Sequence, residues 1–140
     1  ATPRRSTGEG EALIVLDTDH CVAILRGRLD PRAHAGPGDA LAVTALTVAE
    51  LTRGAHRSSR AADNLMRVDA LLAAVNVLDF DEASARLFGA LKARLEVEGR
   101  PIDDIDLQIA CVALRHAAEL ATHNARQFGR VPGLISVDWL

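Results

Sequence analysis

The stretch IVLDTDHCV, residues 14–22, places two aspartates one residue apart at the end of an apolar run. Further acids follow at Glu50 and, within IDDID, at Asp103, Asp104 and Asp106. His123 and Asn124 close a later apolar segment. Two chemistries suit this set. In the first, Asp17 attacks a phosphoryl group and Asp19 is its acid partner. In the second, Asp17, Glu50 and Asp106 converge from distant parts of the chain. Such a ring of carboxylates repels itself unless a cation is present, and hard oxygen ligands suit Mg²⁺ or Mn²⁺.

The elements around these residues discriminate between the two. ALIVL, residues 12–16, is a short apolar run with β-branched members, as expected of a strand buried on both faces. A helix over 18–27 ends at Gly27, and the Pro- and Gly-containing stretch 28–39 is a loop. A second strand is predicted at 41–46, followed by helices over 47–57 and 59–75, and a third strand at 75–80. The segment from Asp81 to Gly99 is the clearest helix. Asp81 caps it, Ala83, Leu87, Leu91 and Leu95 form one face, and Gly99 stops it. A loop leads into a buried helix over 107–117, then a fourth strand at 119–123 and a fifth at 134–137. Strands alternating with long helices predict an α/β fold with a mainly parallel sheet. In such sheets ligands bind at the carboxyl ends of the strands. Asp17, Glu50, Asp106 and Asn124 all fall there or at the starts of the helices that follow.

Each acid also has an ordinary structural role open to it. Thr47 and Glu50 have the spacing of a capping box. Asp103 or Asp104 can cap the helix after IDDID, and Asp19 can cap the first helix. Asn124 can serve a turn. Asp17 is the hardest to explain this way, because an acid closing a buried strand has little structural use. The joint pattern of three acids at three strand ends is stronger than any single member.

Composition narrows the field. The 140 residues suit one domain that needs no staples to fold. Three Phe, one Trp and no Tyr exclude an aromatic stacking platform for single strands. The net charge of −3 argues against binding polyanions through bulk electrostatics. Of the sixteen basic residues, Lys92 is the sole Lys, and Arg favours bidentate phosphate contacts. Arg53, Arg57, Arg60 and Arg67 share one stretch, either as a solvated helix face or as a phosphate-contacting patch. Cys21 and Cys111 stand alone in apolar surroundings and read as buried thiols of a reduced, cytoplasmic protein. His20, His34, His56, His116 and His123 lack zinc-site spacing. Glycine-rich phosphate loops and G-x-S-x-G are absent, as is any apolar run long enough to span a membrane. Residues 1–11 read as a flexible tail ahead of a domain over 12–140.

Haloacid-dehalogenase-like phosphatases also carry an apolar strand followed by D-x-D-x-[TV]. Here the motif is D-T-D-H-C, which departs at its fifth position, and the only Lys lies mid-helix. That reading also leaves Glu50 without a role. The chain resembles instead the PIN-domain ribonucleases, specifically VapC-type toxins of toxin–antitoxin pairs. The resembling segments are IVLDTDHCVAIL, TALTVAELTRGA, GRPIDDIDLQIACVAL and ATHNARQFGRVPGLISVDW, in family order over most of 13–139. The last is the most specific, since its T-x-N-x-R-x-F-x-R-V-x-G-L run has no simple structural rationale.

The resemblance implies a three-layer PIN-like domain, with a mainly parallel sheet of four to five strands flanked by helices. It implies a Mg²⁺-dependent endoribonuclease, with Mn²⁺ as a substitute. The metal ligands would be Asp17, Glu50 and Asp106. Many members carry a fourth acid after the fourth strand. Here Asn124 is the nearest match, a catalytic candidate without charge, and Asp104 is a second candidate for that place. Arg126 or an Arg of the 53–67 stretch would offset transition-state charge. A VapB-like antitoxin would block the acidic site, and such toxins form homodimers. The alternative is a PIN-like module that has lost catalysis and only binds RNA or protein.

Overall fold

The structure is a computed structural model that describes residues 11–140. All but the last residue of the expected tail at 1–11 lie outside the described residues. Five strands form a single sheet: β1 (Leu13–Leu16), β2 (Ala40–Thr44), β3 (Asn76–Leu78), β4 (Glu119–Ala121) and β5 (Ser136–Val137). Every pairing is parallel, and the order across the sheet is β3-β2-β1-β4-β5. The chain moves outward from β1 to β3 and then crosses to β4 on the other side. The strand order therefore reverses between β1 and β4, and a crevice opens there at the carboxyl ends.

Period-two alternation sorts the strand residues between two cores. Ile14, Leu16, Val43 and Ala121 face one side. There they meet Cys21 of α1 (Thr18–Leu25), Leu51 and Ala55 of α2 (Ala45–His56) and Val68 of α3 (Ala61–Ala73). Val15, Ala42 and Leu120 face the other side. They meet Leu91 and Leu95 of α4 (Glu82–Val97), Leu107 and Ile109 of α5 (Asp104–Arg115) and Phe128 of α6 (Ala125–Phe128). Each fully buried Leu or Ile contributes roughly 1.5–3 kcal/mol, so two such layers suffice to fix a short-stranded sheet. The expected three-layer α/β architecture is the observed one. Among the described residues, no helix is long and apolar enough to cross a membrane.

The main differences lie at helix starts. Strand β2 ends at Thr44, not at 46, because the Thr44 hydroxyl accepts the Thr47 N–H and caps α2. The capping box expected from Thr47 and Glu50 therefore does not form. Glu50 stands in the second turn, not the first. Helix α1 is capped by Asp17 instead of Asp19. Asp103 caps α5, which starts three residues earlier than its apolar run suggests. Asp81 caps α4 as expected, accepting from Ser84 N at 2.8 Å, and Gly99 follows it at φ +68°.

Candidate active site at the β1–β4 crevice

Asp17 is held at the junction of β1 and α1. Its backbone N–H donates to Ala121 O, which ties the junction to β4. Its Oδ1 accepts the Thr18 N–H at 2.8 Å, and its Oδ2 accepts the Thr122 hydroxyl at 2.7 Å. The residue is 5% exposed. Burial raises its pKa, the Thr122 hydrogen bond opposes this, and the charges of Asp19 and Glu50 raise it further. The residue thus caps a helix in surroundings whose burial and neighbouring acids disfavour its charge.

Glu50 approaches from α2. Its Oε1 accepts the Thr18 hydroxyl at 2.7 Å, and the Thr18 and Thr47 oxygens lie 3.0 Å apart. A hydroxyl has one proton. With that of Thr18 directed to Glu50, Thr47 donates to Thr18, and the chain Thr47–Thr18–Glu50 fixes the carboxylate. Asp106 arrives from the first turn of α5. Burial pushes its pKa up to about 6, and Asp17, Asp103, Glu50 and Asp19 add to the shift through their charges. Asp106 thus feels the charges of both other acids expected from sequence, Asp17 and Glu50.

Asn124 joins through Thr122. Its backbone N–H donates to the Thr122 oxygen at 3.0 Å, while its side-chain amide donates to Gln127 Oε1 at 2.8 Å. Asp104 turns away and pairs with Lys92 Nζ at 2.7 Å on the exposed surface. Asp19 is a neighbour that sequence reasoning weighed only as a cap or an acid partner. Its Oδ1 lies 2.7 Å from His20 Nδ1, and its Oδ2 accepts the His123 N–H at 2.9 Å. Burial alone would raise its pKa, but these hydrogen bonds outweigh burial and lower it. With both oxygens so engaged, it is poorly placed as the proton donor a D-x-D phosphatase requires.

Sequence reasoning missed Thr18 and Thr122. The signal for Thr122 was present in the T-x-N spacing, which the structure explains: one hydroxyl serves both Asp17 and Asn124. Thr18 carried no comparable signal.

The donor set is all oxygen and crowded with negative charge, which fits a hard divalent cation. Among the described residues, no three His, Cys, Asp or Glu side chains are close enough to form a ready cage. Mg²⁺ keeps most of its waters and needs only one or two protein carboxylates, so the fit does not require such a cage. Beside Glu50 a groove of about 320 Å³ runs between α1, α2 and α3. Val22, Leu25, Leu51 and Val68 line it together with Arg26 and Arg67. Arg53, Arg57 and Arg60 are exposed nearby in sequence.

The fold and the sequence are shared with known proteins. The PIN domain family profile matches residues 14–134. Ribonuclease VapC1 of Haemophilus influenzae strain R2866 is 34% identical, over 91% of this chain and 98% of its own. The tRNA(fMet)-specific endonuclease VapC of Shigella flexneri is 31% identical, over 89% of this chain and 96% of its own. Among solved structures, VapBC2 from Rickettsia felis, bound to a DNA fragment from its promoter, superposes with a TM-score of 0.85. It is 28% identical, covering 91% of this chain and 99% of that one. With the profile spanning β1 through the residues before β5 and relatives matched over nearly their full length, the chain belongs to the PIN-domain family, on its VapC branch.

Proposed function

We propose that the chain is a VapC-like endoribonuclease that hydrolyses RNA phosphodiester bonds and is inhibited by a VapB-like antitoxin. The observation that carries this reading is the buried Asp17 at the crevice where the strand order reverses, with Glu50 tied to its neighbour Thr18, in a chain of VapC ancestry. We assign Asp17 and Asp106 as the principal metal ligands, with Glu50 as a third. When bound, Mg²⁺ or Mn²⁺ would supply charge neutralisation at the phosphate and a water of lowered pKa.

The chain's own groups do the rest. Thr18 N–H and Thr122 Oγ1 each occupy one Asp17 oxygen and fix the carboxylate's plane. The Thr47–Thr18 relay sets Glu50 to orient a water. The Asn124 side chain, held by Gln127, contributes polarity without adding a fourth negative charge. Arg126 is exposed on α6, and Arg26 and Arg67 rim the groove, where each can take a phosphate in bidentate fashion. The VapB-like partner extends to this chain what the VapBC2 neighbour carries. We place its docking segment at the acidic crevice, with the apolar groove wall as its bed. The RNA substrate puts the activity in the cytoplasm. Self-pairing, implied by the family resemblance, is tested by light scattering on the purified chain.

The decisive experiment incubates total RNA with purified, antitoxin-free protein and Mg²⁺ or Mn²⁺, beside an EDTA control and Asp17→Asn. Discrete fragments that require both metal and Asp17 are expected. Cleavage that survives both EDTA and the substitution overturns the assignment. A folded protein that cuts nothing leaves the binding-module reading.

A further inference from the structure

We infer that His20 is a positioning residue for the proposed active site: itself held by the Trp139 N–H, it donates to Asp19, and through Asp19 it fixes the turn 122–124 that holds Asp17. The inference rests on the reading of Asp17 as a functional carboxylate.

His20 is fully buried, yet both ring nitrogens are engaged. Trp139 N lies 3.0 Å from Nε2. A backbone N–H can only donate, so Nε2 is the acceptor and the ring proton sits on Nδ1. That proton points to Asp19 Oδ1 at 2.7 Å. The other Asp19 oxygen accepts the His123 N–H at 2.9 Å. His123 lies between Thr122, whose hydroxyl donates to Asp17, and Asn124, whose N–H donates to Thr122. An unbroken run of hydrogen bonds and covalent links thus joins residues 138–140 to Asp17.

The far end is secured independently. Asp138 Oδ2 lies 2.8 Å from His123 Nδ1, and its Oδ1 accepts the Leu140 N–H at 2.9 Å. The Trp139 indole stacks on His34, with centroids 5.4 Å apart and planes at 14°. Thr122 N–H donates to Val137 O, so the segment and the turn leave β5 and β4 together. An apolar residue of the same size could fill this space but could make neither hydrogen bond. A buried imidazole bonded on both sides instead specifies geometry, as outer groups behind functional carboxylates do.

The test compares His20→Ala, His20→Asn and His20→Gln with wild type. The Asn amide nitrogen takes the place of Nδ1 and keeps the donor to Asp19, but it gives Trp139 nothing. The Gln amide reaches the place of Nε2 and keeps the Trp139 contact, but it leaves Asp19 without its donor. Two readouts are taken on each protein: kcat and KM on RNA with Mg²⁺, and hydrogen exchange of the 122–124 amides without metal. We expect Ala and Gln to lower kcat about 10-fold, with KM within about two-fold, and to speed exchange at His123. Asn should keep most of kcat and slow exchange at His123, despite a lower melting temperature. Gln matching wild type in both readouts, or Asn losing as much as Gln, overturns the inference. If wild type cuts no RNA, the ribonuclease reading falls instead, and the exchange pattern alone decides the role of His20.

Discussion

Asp104 and Asp106 stand two residues apart in the first turn of α5, in opposite surroundings. Asp104 lies on the outer surface between α4 and α5. Lys92 Nζ reaches it at 2.7 Å and also sits 5.8 Å from the Phe88 ring centroid. Asp106 is partly buried, and the charges that act on it are those of Asp17, Asp103, Glu50 and Asp19. Both acids enjoy the same favourable helix N-terminus. The helix end therefore does not distinguish them. Their different environments follow from which face of α5 each occupies and from what the opposing element carries. On the outer face, α4 supplies the chain's only Lys. On the inner face, the end of β1, the first turn of α1, the α5 cap and α2 supply further acids, Asp17, Asp19, Asp103 and Glu50. A surface pair with its own counter-charge is an ordinary feature. Carboxylates whose charges push up the pKa of a neighbour carry an electrostatic cost, and that cost points to function.

The sharpest way to break this comparison is to neutralise one acid on each side. Asp106→Asn should lower metal-dependent cleavage by about 100- to 1000-fold, the scale of losing one preorganised charge-stabilising group. The amide is isosteric and removes repulsion, so the fold should persist, as circular dichroism would show. Near-normal cleavage by Asp106→Asn would end the assignment of its role.

The same acid should leave a mark on stability in the absence of metal. Its folded pKa of about 6 lies above the ordinary aspartate value of 3.8. The folded state therefore holds a proton that the unfolded state has released. Stability from this group is full below about pH 4 and is lost as pH rises through about 6. Thermal melts of the metal-free protein should show that decline, and Asp106→Asn should flatten it. Mn²⁺ added near neutral pH should raise the wild-type melting temperature by binding the folded state alone. A wild-type profile that rises across this window would contradict the crowded-carboxylate account.

Much of this arrangement was legible in the chain. Apolar runs ending in Asp17 and at 119–123 marked two strands, and alternation with helices implied a parallel sheet. Asp17 stood at a strand end, where such sheets expose their carboxyl edge. Glu50 comes instead from the second turn of α2, and Asp106 from α5, which follows a helix and not a strand. Less legible were the contacts that aim the acids. Ala45 and Leu46 read as strand because they prolong the apolar run of β2, yet the Thr44 hydroxyl ends the strand there by capping α2. Two residues of error there moved Glu50 from the first to the second turn of its helix and suggested a capping box that does not exist. The Thr122–Asp17 and His123–Asp19 contacts join residues more than a hundred positions apart. Local periodicity carries no such information, and only the T-x-N spacing hinted at it.

Thr122 offers a subtler perturbation of the inner face. Thr122→Val keeps the shape and removes the hydroxyl that donates to Asp17 Oδ2. The buried carboxylate loses a donor, which should cost about 1–3 kcal/mol of stability. Cleavage should fall roughly 10-fold, as for loss of an orienting group behind a metal ligand. Thr122→Ser restores the hydroxyl and should restore most of the activity. Equal losses in both variants would show that the methyl group matters and the hydrogen bond does not.

The smallest effect is expected on the outer face, and it sharpens the comparison most directly. Asp104→Ala removes an acid from the same helical turn as Asp106, and Lys92→Ala removes its partner. The pair is solvent-exposed on both sides, where screening and side-chain entropy absorb most of the Coulomb gain. Melting temperature should stay unchanged within measurement for either variant. Cleavage of RNA should stay within about two-fold of wild type, because exposed ion pairs are weakly coupled to their surroundings. A large loss of cleavage in Asp104→Ala, with Lys92→Ala unaffected, would mean that Asp104 leaves Lys92 when substrate or metal binds. It would then supply the fourth charge that Asn124 lacks, and the division between the two faces of α5 would have to be redrawn.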